Sequence, residues 1–484
     1  MPIIPPSNLA IVSDTLADPL LFTLGAEVTL GAAAPLILRL AIRRALTVPN
    51  PLYREAEEQG RSTGDLEPEL RYYRQTPDGA LVVPRGAGRM VHALCREHGV
   101  SVRLIDAAHE AAPVMFEERV TLSASQERAV GDVLRKRIGV LEAPAGSGKT
   151  IMAMSAIARR RQPTLIIVHT KELAHQALAR AVAVLGLAEG EIGMVGDGQC
   201  IVGARLTIGL VQTLARGIPP ALRGVGHVVV DECHHAPAVQ MAAVVSQFPA
   251  RYLLGLSATP YRRDGLDAVI GWYLGPVVAR IDKADLADRL IAPTIIKRET
   301  GCVVAGDSFT EIVTDLIHDP ARNRLIVADV VQAARQGRRC LVLSDRVDHV
   351  ERLAEMLTAA GVGAAALHGQ LGKRARGAVV AALGAGTLQA VVATGSLIGE
   401  GFDCPRLDAL FLATPVSFVG RVVQYVGRVS RSAPGKVDAL VYDYCDECAM
   451  LWASWGKRGR LYRSMGLLIT SAPASAVAPR GRTA

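Results

Sequence analysis

Arg137-Ile138-Gly139-Val140-Leu141-Glu142 runs straight into Ala143-Pro144-Ala145-Gly146-Ser147-Gly148-Lys149-Thr150, and an apolar helical pattern opens at Ile151. An apolar strand, a Pro/Gly-rich turn and a helix in that order form a phosphate-binding loop. Glycines let successive backbone N–H groups curl around phosphate oxygens at the positive end of the helix. The spacing follows GxxxxGK[ST], with Ala143 in the first glycine position. Ala145, Gly146, Ser147 and Gly148 would cradle the phosphates. Lys149 would supply charge to the β- and γ-phosphates, and Thr150 would hold Mg²⁺. ATP and Mg²⁺ are therefore the expected ligands.

Downstream the strand–helix rhythm continues. Thr164-Leu165-Ile166-Ile167-Val168, Leu206-Thr207-Ile208-Gly209-Leu210-Val211, His227-Val228-Val229-Val230 and Tyr252-Leu253-Leu254-Gly255-Leu256 are short continuous apolar runs with helical patterns between them. Such runs point to a parallel sheet covered on both faces. The run His227-Val228-Val229-Val230 ends in Asp231-Glu232-Cys233-His234, which exposes two carboxylates at the carboxyl edge of a sheet, where α/β folds bind ligands. Asp231 is placed for the Mg²⁺ shell and Glu232 to orient or deprotonate an attacking water. The rhythm then restarts, with strands expected near 339–344, 364–367, 388–393 and 409–413. Two sheets in one chain imply two lobes with a cleft between them. The expected division is a mixed α/β accessory unit over 1–116, lobes over 117–280 and 281–467, and a disordered tail over 468–484.

Bulk properties agree with an enzyme of this size. At roughly 100–200 residues per domain, 484 residues suggest about three domains. Half the residues are hydrophobic and 21% are charged, which excludes a disordered chain. The net charge of +8 suits a polyanionic partner, and equally a mildly basic surface. The cysteines are scattered, and a disulfide-stapled fold is excluded by size. Only Cys445 and Cys448 form a CxxC, and no second pair stands at zinc-site spacing. Met1-Pro2-Ile3-Ile4-Pro5-Pro6 lacks the basic region of a secretory signal. The apolar stretch from Leu30 to Val48 carries Arg39, Arg43 and Arg44, so it reads as a core-facing amphipathic helix rather than a membrane span. A cytoplasmic protein is expected.

Taken in order, these motifs resemble those of the superfamily-2 helicases, over roughly Thr121 to Tyr444. The resemblance implies two RecA-like lobes and a nucleic-acid partner, DNA in the first instance. Gln126, in Leu122-Ser123-Ala124-Ser125-Gln126, stands where the family reads adenine, with Ser123 in place of the family's frequent Arg. Thr170 and Lys171, in His169-Thr170-Lys171-Glu172-Leu173, and Gln212 and Thr213 stand where the family contacts a nucleic-acid backbone. Ser257 and Thr259, in Ser257-Ala258-Thr259-Pro260, match its coupling motif. Thr394, with Gly401 and Asp403 in Gly399-Glu400-Gly401-Phe402-Asp403, resembles the motif joining nucleic-acid grip to the ATP ribose.

Gln424-Tyr425-Val426-Gly427-Arg428-Val429-Ser430-Arg431 matches the family's closing QxxGRxxR, which reaches the γ-phosphate across the cleft. On a continuous helix Gln424, Arg428 and Arg431 would share one face. A finer likeness is to the XPB-type DNA helicases. There an Arg-Glu-Asp triplet that helps open DNA stands where this chain has Arg262-Arg263-Asp264.

The motifs leave four readings open: a strand-separating DNA helicase, a duplex translocase that does not separate strands, an RNA helicase, and a slow nucleotide-switched binding protein. Both Glu232 and the paired arginines weigh against the last, since a pure switch needs neither. No nuclease motif is visible, and a nuclease or repair partner could be a separate subunit.

Overall fold

The computed structural model describes residues 18–144, 146–234, 238–258, 266–282, 285, 290–304, 308–399, 404, 406–416 and 419–472. The strands on either side of the phosphate loop belong to an eight-stranded sheet. From edge to edge its order is Gln199–Ile201, Ile192–Gly196, Leu206–Leu210, Thr164–Val168, His227–Val230, Tyr252–Ser257, Ile138–Glu142 and Val277–Arg280. All neighbours pair in parallel except Gln199–Ile201, which folds back on Ile192–Gly196. Alternate residues feed two separate cores, as a pleated strand requires. Ile166 and Val229 enter one cluster, while Leu165, Ile167, Val228 and Val230 enter the other. Helices therefore cover both faces, as the unbroken apolar runs predicted.

A consequence of this order matters for chemistry. The strand leading to Asp231 is not beside the strand leading to the phosphate loop, because Tyr252–Ser257 runs between them. Ser257 thus ends its strand between the two acids on one side and the loop on the other.

The second sheet has seven strands, all parallel, in the order Ala364–Leu367, Ala390–Thr394, Cys340–Ser344, Ala409–Leu412, Leu440–Glu447, Thr294–Val303 and Ile469–Ala472. The last of these corrects an expectation. The tail expected to be disordered from 468 begins with a strand that pairs with Ile295–Arg298.

Leu440–Glu447 also escaped the sequence reading, because Asp443 and Asp446 interrupt its apolar run. Both are buried against arginines. Arg322 grips Asp446 through Nε–Oδ1 at 2.8 Å and Nη2–Oδ2 at 3.2 Å, and Arg458 grips Asp443 at 2.8 Å on both oxygens. Removing one partner of such a pair leaves an uncompensated buried charge, a cost of about 3–5 kcal/mol.

The N-terminal unit is a five-stranded sheet ordered Arg74–Gln75, Leu81–Pro84, Glu27–Leu30, Leu20–Leu24 and Val102–Asp106. The helix expected between Leu30 and Val48 spans Leu36–Ala45 and buries Leu38 and Ile42. Leu30 itself ends a strand, and Leu36, Ile37 and Leu40 face outward.

This unit docks on the first lobe. The buried Arg85 guanidinium donates to the Ala250 and Arg251 carbonyls. Tyr72 packs on Trp272 with ring centroids 5.2 Å apart. Gly86 lies so close to the Asp267–Leu274 helix that a Cβ there would meet the Gly271 carbonyl oxygen at 2.3 Å. No described helix is long and apolar enough to cross a membrane.

Candidate functional site

The phosphate loop owes its shape to two glycines with positive φ, Gly146 and Gly148, both at 85°. Gly148 also leaves room for a neighbour: a Cβ there would meet Gln126 Nε2 at 2.6 Å. Gln126 is buried, and its position is built from the sequence upward. Ser123 caps the Ala124–Leu134 helix, and the Gln126 Oε1 accepts from the Ser123 N–H at 3.0 Å. That leaves the Gln126 amide nitrogen to donate to the Ser147 carbonyl at 2.8 Å. Ser123, which stands in place of the family's Arg, thus aims Gln126 at the loop.

Inside the loop, Lys149 is buried at the start of the Lys149–Arg160 helix, with Thr150 next to it. Its Nζ donates to the Ala143 carbonyl at 3.1 Å and lies 3.7 Å from Glu232 Oε1. The acid pair is tightly drawn. The Glu232 N–H donates to Asp231 Oδ1 at 2.9 Å, and Glu232 holds a left-handed φ of 44°, strained for a non-glycine residue. Burial, with the neighbouring Glu232 carboxylate, pushes the Asp231 carboxyl up to about 6 against the pull of Lys149.

A divalent cation would relieve that penalty, and the two carboxylates and the Thr150 hydroxyl are hard oxygen donors of the kind Mg²⁺ takes. The Ser147 hydroxyl is buried and finds no hydrogen-bond partner among the described residues. A group bearing hydrogen-bonding oxygens would satisfy it. The residues present fit a magnesium–triphosphate.

Ser257 links the acids to the neighbouring strand. Its Oγ and the His234 Nδ1 are 3.0 Å apart, and His234 Nδ1 is 3.5 Å from Glu232 Oε2. His234, quoted in the sequence but given no role there, is the go-between.

The second lobe reaches this loop through Arg431. A side chain begun at Gly146 would meet Leu290 Cδ2 at 3.3 Å and Arg431 Cγ and Nε at 3.6 and 3.7 Å. Arg431 corrects the shared-face expectation. The helix carrying Gln424 and Arg428 spans Val419–Val429, and Arg431 lies past its end in an antiparallel bridge with Leu290. The turn is held by Lys436. Its half-buried ammonium donates to the Val429 and Arg431 carbonyls at 2.6 and 2.7 Å and to the Leu407 carbonyl. Burial lowers the Lys436 pKa to about 8, against Asp408, Cys404 and Asp438, which raise it, while Arg431 lowers it further. Sequence reasoning had no signal for Lys436, because its role exists only once three carbonyls converge.

At the end of Thr164–Val168, the strand next to the one that leads to the acid pair, Thr170 caps the Lys171–Leu185 helix, and its Oγ1 accepts from the Leu173 N–H at 3.2 Å. The hydroxyl proton stays available for an outside acceptor. Lys171 Nζ sits 2.7 Å from Asp197 Oδ1. Gln212 donates to the His169 carbonyl at 2.8 Å, which brings it beside Thr170, and Thr213 follows it on the Val211–Arg216 helix. From the second lobe Arg376 Nη1 crosses to Glu172 Oε1 at 3.2 Å. Thr394 ends its strand with a buried hydroxyl that has no partner among the described residues. Ala145, Thr259, Arg262, Gly401 and Asp403 lie outside the described residues.

Two family models match this chain in order: "Type III restriction enzyme, res subunit" over residues 119–262 and "Helicase conserved C-terminal domain" over 323–433. "Probable helicase D10" of Escherichia phage T5 is 25% identical over 342 residues, covering 70% of this chain and 74% of the relative. "DNA 3'-5' translocase XPB2" of Sulfurisphaera tokodaii is 29% identical over 187 residues, 38% of this chain and 41% of that one. Among solved structures, "S. cerevisiae Dbp5 L327V bound to RNA and ADP BeF3" superposes with a TM-score of 0.56 at 15% identity, covering 73% of this chain and 90% of that one. Its likeness shows the two-lobe RecA-like fold. Matched by two helicase-family models in succession, one on each lobe, this chain belongs to the superfamily-2 helicases, enzymes that hydrolyse ATP and bind nucleic acid.

Proposed function

We propose that the chain is an ATP-dependent DNA helicase or translocase that hydrolyses ATP between its two lobes and moves along the DNA backbone. The observation that supports this most is Arg431 of the second lobe standing over Gly146 of the first. In this reading ATP lies on the loop of residues 143–150. Lys149 neutralises its outer phosphates, Gln126 borders the base pocket, and Glu232 orients water toward the γ-phosphate. Thr150 and Asp231 would hold Mg²⁺, which when bound neutralises charge on the β- and γ-oxygens. Arg431, with Arg428, stabilises charge that builds up during transfer. Ser257 and His234 connect Glu232 to the strand edge, so the state of the γ-phosphate is felt by the element between the two sites.

Thr170, Lys171, Gln212 and Thr213 on one lobe and Thr394 on the other would contact phosphates rather than bases. Binding would then show little sequence preference and fall steeply with salt. The choice of DNA is supported by the relative whose printed name is a DNA translocase. In the same reading residues 1–116 form an accessory DNA-sensing unit, 117–280 the first lobe, and 281–467 together with the edge strand Ile469–Ala472 the second.

The test is ATP turnover with single-stranded DNA, duplex, fork and RNA of equal length at one stated salt concentration. DNA should stimulate and RNA should not; stimulation by RNA alone would overturn the choice of polymer. Strand-displacement and triplex-displacement assays on the same DNA then separate unwinding from translocation.

Lys436 gives a second expected result. A Lys436→Met variant should lose about 10²-fold in kcat with KM for ATP little changed, the scale of a misplacement of about 1 Å at a reacting centre. Turnover of the wild type should fall as pH rises through about 8, where the ammonium loses its proton, and Lys436→Arg should move that fall to higher pH. A flat profile across that range, with normal turnover in Lys436→Met, would remove Lys436 from the positioning of Arg431.

A further inference from the structure

The helix Ala449–Ser464 connects Leu440–Glu447 to the edge strand Ile469–Ala472. Its inner side buries Leu451, Arg458, Gly459 and Tyr462. Its outer side has a different character. At 3.6 residues per turn, Trp452, Gly456, Lys457, Arg460 and Arg463 fall within one arc of roughly 140°. Trp452 is 59% exposed, and Lys457, Arg460 and Arg463 are exposed. Between Ala449 and Ala472 the sequence contains no Asp or Glu.

Two features separate this face from an ordinary solvated one. Several exposed arginines elsewhere pair with carboxylates, as Arg119 does with Glu117, Arg135 with Asp132, Arg137 with Asp106 and Arg159 with Glu127; here three cations share one helix face that carries no carboxylate. Lys457, Arg460 and Arg463 form no ion pair among the described residues. The chain also has few aromatics, 4% of its residues, yet two of its three tryptophans stand on this one helix. Trp455 is spoken for, with Lys297 Nζ 5.1 Å from its ring centroid and Gly459 packed beneath it. Trp452 leaves most of its indole open to solvent, where an aromatic face can take a stacking partner.

We propose that this outer face is a second nucleic-acid surface, where Lys457, Arg460 and Arg463 hold phosphates of a single strand and Trp452 stacks on one of its bases. Ala453, Gly456 and Ser464 between them are small, which lets a backbone approach the helix closely. The inference rests on the reading of the chain as a nucleic-acid motor but concerns a different surface. Arg376 and Glu172 meet beside Ala364–Leu367, the opposite edge of the same sheet, four strands or roughly 20 Å from Leu440–Glu447. A strand on this face is therefore a portion of the substrate outside the cleft, such as one arm of a fork.

The probe is a labelled 20-nucleotide oligothymidylate, bound to the full chain across a range of salt. The Lys457→Ala/Arg460→Ala/Arg463→Ala variant should show a log–log salt slope shallower by about 2, since each phosphate contact on a single strand contributes roughly 0.7. Trp452→Ala should weaken oligothymidylate binding roughly 10-fold, the scale of one lost stack, and duplex binding far less. ATP turnover at saturating oligonucleotide should match wild type in both variants, because neither touches the cleft. Wild type that neither binds the oligonucleotide nor responds to it in ATP turnover would overturn the motor reading itself. Wild type that does both, with slope and affinity unchanged in the two variants, would overturn this surface alone.

Discussion

Lys149→Ala should abolish measurable ATP turnover while the protein keeps its fold. The side chain makes one hydrogen bond, to the Ala143 carbonyl, and a loose 3.7 Å approach to Glu232, so few stabilising contacts go with it. Alanine at the first position of the Lys149–Arg160 helix is a good helix former. What disappears is a buried cation that, in the proposed site, faces the developing charge of the γ-phosphate. Loss of a single preorganised donor of that kind costs roughly 10²–10³ in kcat, and loss of the only ammonium in the loop should lie at or beyond that range. Turnover in a coupled assay, next to thermal unfolding of the same preparation, checks both halves. Near-normal turnover by a folded Lys149→Ala protein would refute the site.

Arg431→Ala should cut turnover by roughly 10³–10⁵, the value of an arginine delivered to a transferring phosphoryl group. ATP binding should be nearly unchanged, because the loop and Gln126 belong to the first lobe. The geometry ranks the two arginines. Arg431 approaches Gly146 and its backbone is bridged to Leu290, whereas Arg428 belongs to the Val419–Val429 helix that precedes it. Arg428→Ala should therefore also lower turnover with nucleotide binding largely kept, but by less. Arg431→Lys should rescue little, since an ammonium lacks the planar fork that spans two phosphate oxygens. Single-turnover rates and nucleotide affinity measured on the three variants decide the order. An Arg431→Ala protein with wild-type turnover would take Arg431 out of the transfer step.

Much of the first lobe was legible in advance for a local reason. A strand buried on both faces is an unbroken apolar run, and a phosphate loop is a contiguous motif whose glycines serve the positions they occupy. Asp231 and Glu232 were legible in the same way, at the end of such a run. The second lobe was half legible. Leu440–Glu447 was missed because Asp443 and Asp446 look like surface residues until Arg458 and Arg322, distant in sequence, are brought onto them. The expected single face of Gln424, Arg428 and Arg431 failed because helix periodicity does not show where a helix ends. Lys436 and the Leu290 bridge end it before Arg431.

By itself, then, the sequence determined the apolar parallel strands at the centre of both sheets, the glycine-bearing loop and the acids at a strand end, because period, glycine position and charge at a strand end are properties of neighbours along the chain. Tertiary structure alone decided that Ser257 stands between the acids and the loop, that His234 joins them, and that Arg431 crosses from one lobe to the other. Those facts depend on strand order and on the closing of two units, and nothing local in the chain encodes which distant segments come to lie side by side.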